Sequence, residues 1–304
     1  MKSRVTWLAL LALVILAVLP FGVSGYVLGL LTLAFYYGVC AMAWDLLFGF
    51  AGEVNFGPSF LMGLGAYTAA LLNHYAGWPI PACLVAGAVA AVIGGVVLTV
   101  PALKLHGPYF GLVTLVAVLL LQNAIVLFAG ITGGEIGLDL PDVLSVNDST
   151  NYWYALGFMA VSGAILFGLS RSTVGLILQA SGQDAIEAAA LGFNVAKHKL
   201  AAFCVSALFT GLAGAMLIFY MGTASVGTTV DIGIGVQIII AAVLGGRRTI
   251  IGAAIGSIFL IVAGELLRPL GQLSTFVVSA IALVVILFFP GGFLGAALAA
   301  EARE

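Results

Sequence analysis

Charged side chains are scarce in this chain. Asp, Glu, Lys and Arg make up 7% of its 304 residues, whereas a water-soluble domain carries about 25%. So few charges cannot cover a folded body in water, which excludes an ordinary soluble protein. Cysteine is equally thin. Cys40, Cys83 and Cys204 lie singly within apolar runs, without the paired spacing of a zinc or redox site, and read as small buried hydrophobes. His74, His106 and His198 fall in different loops and form no constellation. The chain has no phosphate loop, GxGxxG, HExxH or GxSxG motif and no basic stripe. These absences argue against an enzyme, a cofactor or metal bound by this chain, and a nucleic-acid partner.

Apolar residues and glycine are abundant instead. Hydrophobic residues reach 63%, the mean hydropathy is +1.24, and there are 40 glycines. A transmembrane barrel would show short alternating segments, whereas long runs punctuated by small residues point to helices that approach closely in lipid. The expected fold is an all-α polytopic membrane protein with about ten membrane-embedded helices, some of them broken or re-entrant. Residues 1–304 are read as a single transmembrane domain.

Lys2 and Arg4 precede the apolar run Val5–Val18. Many further spans follow, and Pro20-Phe21-Gly22 matches a cleavage site poorly, so the run is read as an uncleaved first helix. Spans are expected near Trp7–Val23 and Tyr26–Phe50. In AGEVNFGPSF, Gly52, Gly57 and Pro58 interrupt the apolar pattern around Glu53 and Asn55. Backbone broken at membrane depth must lie inside protein or beside a water-filled cavity, which puts this segment within the bundle. Further spans are expected near Ala82–Leu98, Tyr109–Phe128, Tyr152–Leu169, Leu200–Met221 and Phe276–Phe289. Ile234–Leu244 and Ile250–Ala263 fall near or below the usual ~20 residues and read as tilted or half-membrane helices joined at Arg247-Arg248.

Positive charge orients this arrangement. With an even number of crossings, Lys2, Arg4, Lys104, Arg171, Lys197, Lys199, Arg247, Arg248 and Arg303 share one face, and only Arg268 is left opposite. The positive-inside rule makes that face cytoplasmic and places both termini there. Residues 129–151 contain no Lys or Arg but include Glu135, Asp139, Asp142 and Asp148. That stretch belongs on the outer face.

Residues 170–199 form the one long segment unsuited to hydrocarbon, and are expected to be a cytoplasmic docking loop with a short helix. In DAIEAAALG, Asp184 and Glu187 suit the exposed N–H groups of a first turn, and Gly192 ends the helix after Leu191. Such a short helix is not stable alone and must rest on a surface. Asp184, Ala185, Glu187, Ala188, Ala189, Leu191 and Gly192 are therefore the candidate docking residues. Asp45, Glu53, Asn55, Thr68, Thr114, Gln122 and Asn123 are polar groups in or beside apolar segments. They are candidates for a solute pathway, since intramembrane ionisable groups usually face an interior or an aqueous cavity. Asn and Thr also hold helices together, so a structural role stands beside the functional one for each.

Five stretches in order carry a family resemblance. WDLLFGFAGEVNFGPSFLMGLGAYTAALL, KLHGPYFGLVTL, TGGEIGL, the region from Ser170 to Met216, and VLGGRRTIIGAAIGS resemble segments of the permease subunits of branched-chain amino acid ABC transporters. Their order and length look most like the second of the family's two paired permeases. Pro58 stands where the family often has His, Glu53 adds a carboxylate, Arg247-Arg248 replaces a small residue, and Ala253 stands where Pro is common.

The resemblance implies a membrane permease subunit of an ATP-driven importer for branched-chain or related amino acids, in a bacterial-type inner membrane. It implies as partners a second homologous permease, two cytoplasmic ATPase subunits that carry ATP and Mg, a periplasmic or extracellular solute-binding protein, and a small polar or zwitterionic solute. Relatives that import urea or short amides are the nearest alternative. An ion-coupled secondary transporter, which would need its own membrane coupling site, is a more distant one.

Overall fold

In the computed structural model, residues 13–102 and 109–271 are described, together with Leu273, Val277, Ala280, Leu283 and Gly292. Lys2, Arg4, the start of the first expected span, Lys104, His106, most of the last span and Arg303 lie outside the described residues.

Beside a helical stretch at 13–18 and four-residue helical turns at Ala129–Thr132 and Val226–Thr229, ten helices organise the described residues. They are α1 (Gly25–Asp45), α2 (Pro58–Ala76), α3 (Ile80–Ala102), α4 (Tyr109–Leu127), α5 (Asp148–Arg171), α6 (Thr173–Gln183), α7 (Ala185–Ala190), α8 (Val195–Met221), α9 (Ile232–Gly245) and α10 (Ile251–Leu266). A π-helical turn, Leu46–Phe50, extends α1. Among the described residues, six helical segments are long and apolar enough to cross a membrane: Gly25–Phe50, Ile80–Ala102, Tyr109–Leu127, Asp148–Arg171, Val195–Met221 and Val226–Gly245. The fold is that of a largely helical, polytopic membrane protein.

Two helices form its centre. α1 packs on α5, α8, α9 and α10, while α8 also packs on α2 and α3. α1 is apolar on every side and is buried along most of its length, as a core helix should be. Small residues set these contacts. In α3, Cys83, Gly87, Ala91 and Gly95 recur every four residues and are buried, while Val85, Val89, Ile93 and Val97 on another face are exposed. Lipid is as apolar as a valine side chain, so only close van der Waals approach favours the small face inside. A Cβ on Gly65 of α2 would lie 2.1 Å from the Gly211 carbonyl oxygen of α8. The same intimacy joins α9 to α10, where a Cβ on Gly256 would stand 2.0 Å from the Ala241 oxygen. Ser257 Oγ, 2.9 Å from the Ala34 oxygen, ties α10 to α1.

One expectation changes. The apolar segment expected at Ile234–Leu244 is longer, because a helical turn at Val226–Thr229 precedes α9 and the pair spans 20 residues. By sequence, MGTASVGTTVDIG reads as a loop without positive charge, yet the Thr229 hydroxyl bonds back to the Ser225 oxygen and Asp231 caps α9 through the Gly233 N–H. The fold is all-α apart from one short pairing between loops. Leu138–Asp139 and Thr223–Ala224 pair antiparallel, Leu138 opposite Ala224.

Charge segregates to the two ends of the bundle. Asn73 Nδ2 donates to Asp142 Oδ2 at 2.8 Å, His74 Nδ1 is 2.9 Å from the Asp139 oxygen, and Tyr75 donates to the Ile131 oxygen. Those bonds gather the acidic loop 129–151 around the end of α2. Arg268 lies at the same end, bonded to Tyr26 and Glu265. Glu53, Lys199, Arg247 and Arg248 lie at the other end.

Candidate functional site

Beyond Arg171 the chain leaves the bundle as two helices. Ser172 ends α5 and caps α6, accepting from the Gly175 N–H. Asp184 ends α6 and caps α7, where Oδ1 accepts from the N–H groups of Ile186 at 2.8 Å and Glu187 at 3.0 Å. That carboxylate satisfies two of the N–H groups a helix start leaves open and meets its positive end. Leu191 closes the helix, and Gly192 turns the chain at φ +88°, a conformation that a side chain resists. Of the α7 residues only Ala188 is buried. Ile186 is 82% exposed and Leu191 74%. Asp184, Ala185, Glu187, Ala188, Ala189, Leu191 and Gly192 thus make one capped, projecting turn with large apolar side chains in the open.

Beneath it lies the break after α1. The π turn Leu46–Phe50 runs into Ala51–Gly57, which has no regular structure, and α2 starts at Pro58. Proline suits this first helical position because it lacks an N–H that would have no partner. Hydrogen bonds replace the missing helix. Glu53 N–H donates to the Leu47 oxygen, Trp44 Nε1 to the Asn55 oxygen at 2.6 Å, Gly57 N–H to Asn55 Oδ1, and Phe56 N–H to Thr114 Oγ1 at 2.9 Å. Thr114 Oγ1 donates in turn to the Gly111 oxygen. Asn55 and Thr114 are buried, and they bind α1, the break and α4 together.

The remaining pathway candidates scatter. Glu53, in the break itself, forms an ion pair with Lys199 of α8 at 2.5 Å. Asp45, 1% exposed, accepts from the backbone N–H groups of Arg248, Thr249 and Ile250, each at 3.0 Å. Its carboxylate is filled by the α9–α10 loop. Thr68 is half-buried on α2 and Gln122 half-buried on α4. Asn123 is exposed and bonds to its own helix at the Leu119 oxygen. The structure brings Asp45, Glu53, Asn55 and Thr114 into one region and leaves Thr68, Gln122 and Asn123 outside it.

Sequence reasoning missed two features. Arg247 lies over the Phe48 ring and donates to the Phe48 oxygen, and Arg248 Nε donates to the Gly49 oxygen at 2.8 Å. The arginines therefore cover carbonyls of the π turn, whose bonding pattern departs from that of an ordinary α-helix. The run GGRR beside an apolar hairpin was the only signal. The second feature is a pair of buried hydroxyls on α2, Ser59 Oγ and Tyr67 Oη, that lack a partner. Ser59 faces Gly235 of α9, where an added Cβ would stand 3.0 Å from its oxygen. Both residue types are ordinary in membrane helices, so nothing in the sequence marked them. No group of three or more His, Cys, Asp or Glu side chains able to hold a metal occurs among the described residues.

Residues 26–290 match the family model described as "Branched-chain amino acid transport system / permease component". The chain is similar to the high-affinity branched-chain amino acid transport system permease protein LivM of Escherichia coli (strain K12). The two are 28% identical over 322 residues, covering 94% of this chain and 74% of that one. LivM of Salmonella typhimurium is 27% identical with the same coverage. The corresponding protein BraD of Pseudomonas aeruginosa is 26% identical over 289 residues, 87% of this chain and 93% of its own length. No solved structure is significantly similar.

Proposed function

The chain belongs to the permease-component family of branched-chain amino acid transport systems, and from that premise we propose that it imports branched-chain or related amino acids as one half of a permease pair. It is a non-catalytic membrane subunit of an ATP-driven importer. Two cytoplasmic ATPases, which bind ATP and Mg, drive alternating access, and a solute-binding protein delivers the amino acid from outside. Similarity to three named branched-chain permeases over most of the chain supports this solute class over urea or short amides.

α7 is the docking helix for an ATPase within the 170–199 loop of a single permease domain. The observation that carries this is its form: a six-residue turn, capped by Asp184, presenting Ile186 and Leu191 to the outside of the bundle. A small apolar knob of that kind fits a hydrophobic groove on a partner. The end carrying α7, Lys199, Arg247 and Arg248 is cytoplasmic by the positive-inside rule, and the acidic end around Asp139 and Asp142 faces the solute-binding protein. The six long apolar segments, α2, α10 and the two terminal apolar runs give about ten embedded segments with both termini cytoplasmic. The solute pathway runs beside the break, with Glu53, Asn55 and Thr114 shaping its cytoplasmic end and Asp45 supporting it. Thr68, Gln122 and Asn123 belong to it only where the second permease faces α2 and α4.

Copurification from native membrane in mild detergent tests the assignment. A second permease and a P-loop ATPase should be recovered, and the double variant Glu187→Arg, Leu191→Arg should lose the ATPase while keeping the second permease. Retention of the ATPase by the double variant would sink the docking assignment, and its absence from the wild-type complex would sink the importer.

A further inference from the structure

The docking helices and the break after α1 touch at two points. Gly182, near the end of α6, lies flat on the chain at Phe50–Gly52. A Cβ on Gly182 would stand 2.5 Å from the Phe50 oxygen and 3.0 Å from the Gly52 nitrogen. The reverse holds for Gly52, whose Cβ would meet the Gly182 oxygen at 2.9 Å and which sits at φ +72°. Neither position has room for a side chain, so two stretches of main chain move as one or separate entirely. The second point is the ion pair between Glu53 Oε1 and Lys199 Nζ at 2.5 Å, with side chains only 21% and 16% exposed. Gly182 stands just before α7, and Lys199 stands in the second turn of the helix that follows it. The two contacts therefore grip Phe50–Glu53 from both sides of the docking helix.

The gripped segment leads inward. Glu53 is fixed to the π turn through the Leu47 oxygen, and the chain beyond it is fixed to Trp44, Thr114 and the start of α2. A displacement of α7 cannot reach α2 through the α6 to α7 turn alone, since α7 itself buries only Ala188. Gly182 and Lys199 give it a direct contact with the break that leads into α2, beside the packing of α8 on α2.

We propose that Phe50–Glu53 is the receiving element for movement of the docking helix, and that Glu53, Lys199, Gly52 and Gly182 are the positioning residues that couple ATP hydrolysis to opening of the permease. The inference rests on α7 being the ATPase docking site. Coupling between sites is carried by an element that both of them bias, and here the element is a short non-helical segment held from outside by the docking helices and from inside by α1, α4 and α2. A simple staple would lower the amount of folded protein. A coupling contact changes how much solute moves per ATP.

The experiment uses the copurified complex in proteoliposomes with its solute-binding protein, a radiolabelled branched-chain amino acid and a phosphate-release assay. Glu53→Lys and Lys199→Glu should each lower the ratio of solute moved to ATP hydrolysed about fivefold or more, while the ATPase still copurifies. The charge-swapped pair, Glu53→Lys with Lys199→Glu, should return the ratio to within about twofold of wild type. Gly182→Val should uncouple in the same way. Where a reversal prevents folding, Glu53→Gln keeps the shape, and the ratio should fall with normal recovery of the complex. An unchanged ratio in folded Glu53→Gln, or a loss that the swapped pair does not repair, would overturn the inference. Loss of the ATPase from these variants would instead make the contacts part of the docking surface and overturn a coupling role.

Discussion

Asp45 and Arg248 hold one another across the end of the bundle. Asp45 Oδ1 accepts from the Arg248 N–H at 3.0 Å, while the Arg248 guanidinium reaches back to the Gly49 oxygen, four residues beyond the aspartate. Arg248 and Ile250 adopt φ +66° and +43°, conformations that cost a side chain energy and persist only when the surroundings impose them. The Asp45 carboxylate imposes them by collecting three N–H groups. Asp45→Ala leaves three donors without a partner, at about 1–3 kcal/mol for the buried Ile250 N–H and less for the part-buried Arg248 and Thr249 N–H groups. The expected result is a lower thermal midpoint in detergent and less complex in the membrane, with the KM of the surviving transporter unchanged. A raised KM in normally folded protein would assign Asp45 to the solute.

Gly65 predicts a contrast between two glycines. Gly65→Ala drives a Cβ to 2.1 Å from the Gly211 oxygen, which belongs to backbone and cannot rotate away. Forcing α2 from α8 costs about 1–3 kcal/mol, the usual range for overpacking. Gly157 in α5 has nothing within 4 Å of its would-be Cβ. Gly157→Ala should therefore be neutral or raise stability by about 0.5–1 kcal/mol through helix propensity alone. Thermal unfolding of the two variants in the same detergent separates these outcomes.

Asp184→Ala removes the cap of α7 and about 1 kcal/mol of local helix stability. The helix is six residues long and mostly exposed, so it frays without disturbing the bundle. The thermal midpoint should hold while the apparent affinity of the ATPase falls several-fold, as a titration of purified ATPase against the variant would read. Asp184→Asn keeps an oxygen acceptor and should recover most of the loss.

Ser59→Ala and Tyr67→Phe delete hydroxyls that are buried and unpartnered. Removing a group that makes no hydrogen bond relieves a desolvation penalty, so both variants should melt at or above the wild-type temperature. A lower midpoint would mean that each hydroxyl has a partner in the folded protein. Uptake assays on the same variants identify whether either oxygen meets the solute.

Much was legible because lipid permits few solutions. Long apolar runs must be helices, since no other single segment satisfies its own backbone in hydrocarbon; the run at Tyr109–Phe128 matches the helix Tyr109–Leu127 to one residue, and Leu200–Met221 sits within Val195–Met221. The capped turn at Asp184 was legible for a local reason: a cap, its N–H donors and its glycine stop lie within nine residues. Val226–Thr229 was misread because Thr and Asp signal a loop unless their oxygens bond back to the chain, which they do here.

The sequence by itself determined that this chain is a helical membrane protein, where its main break lies, which loops carry each sign of charge, and which family it resembles. Those properties follow from composition, periodicity and residues close together in the chain. Only the tertiary structure decided what the polar residues do. Glu53 meets Lys199 across 146 positions, and Asp45 meets Ile250 across 205. A carboxylate beside an apolar run looks the same in sequence whether it faces a solute, a lysine or a row of backbone N–H groups. Its role is fixed by which distant element packs against it.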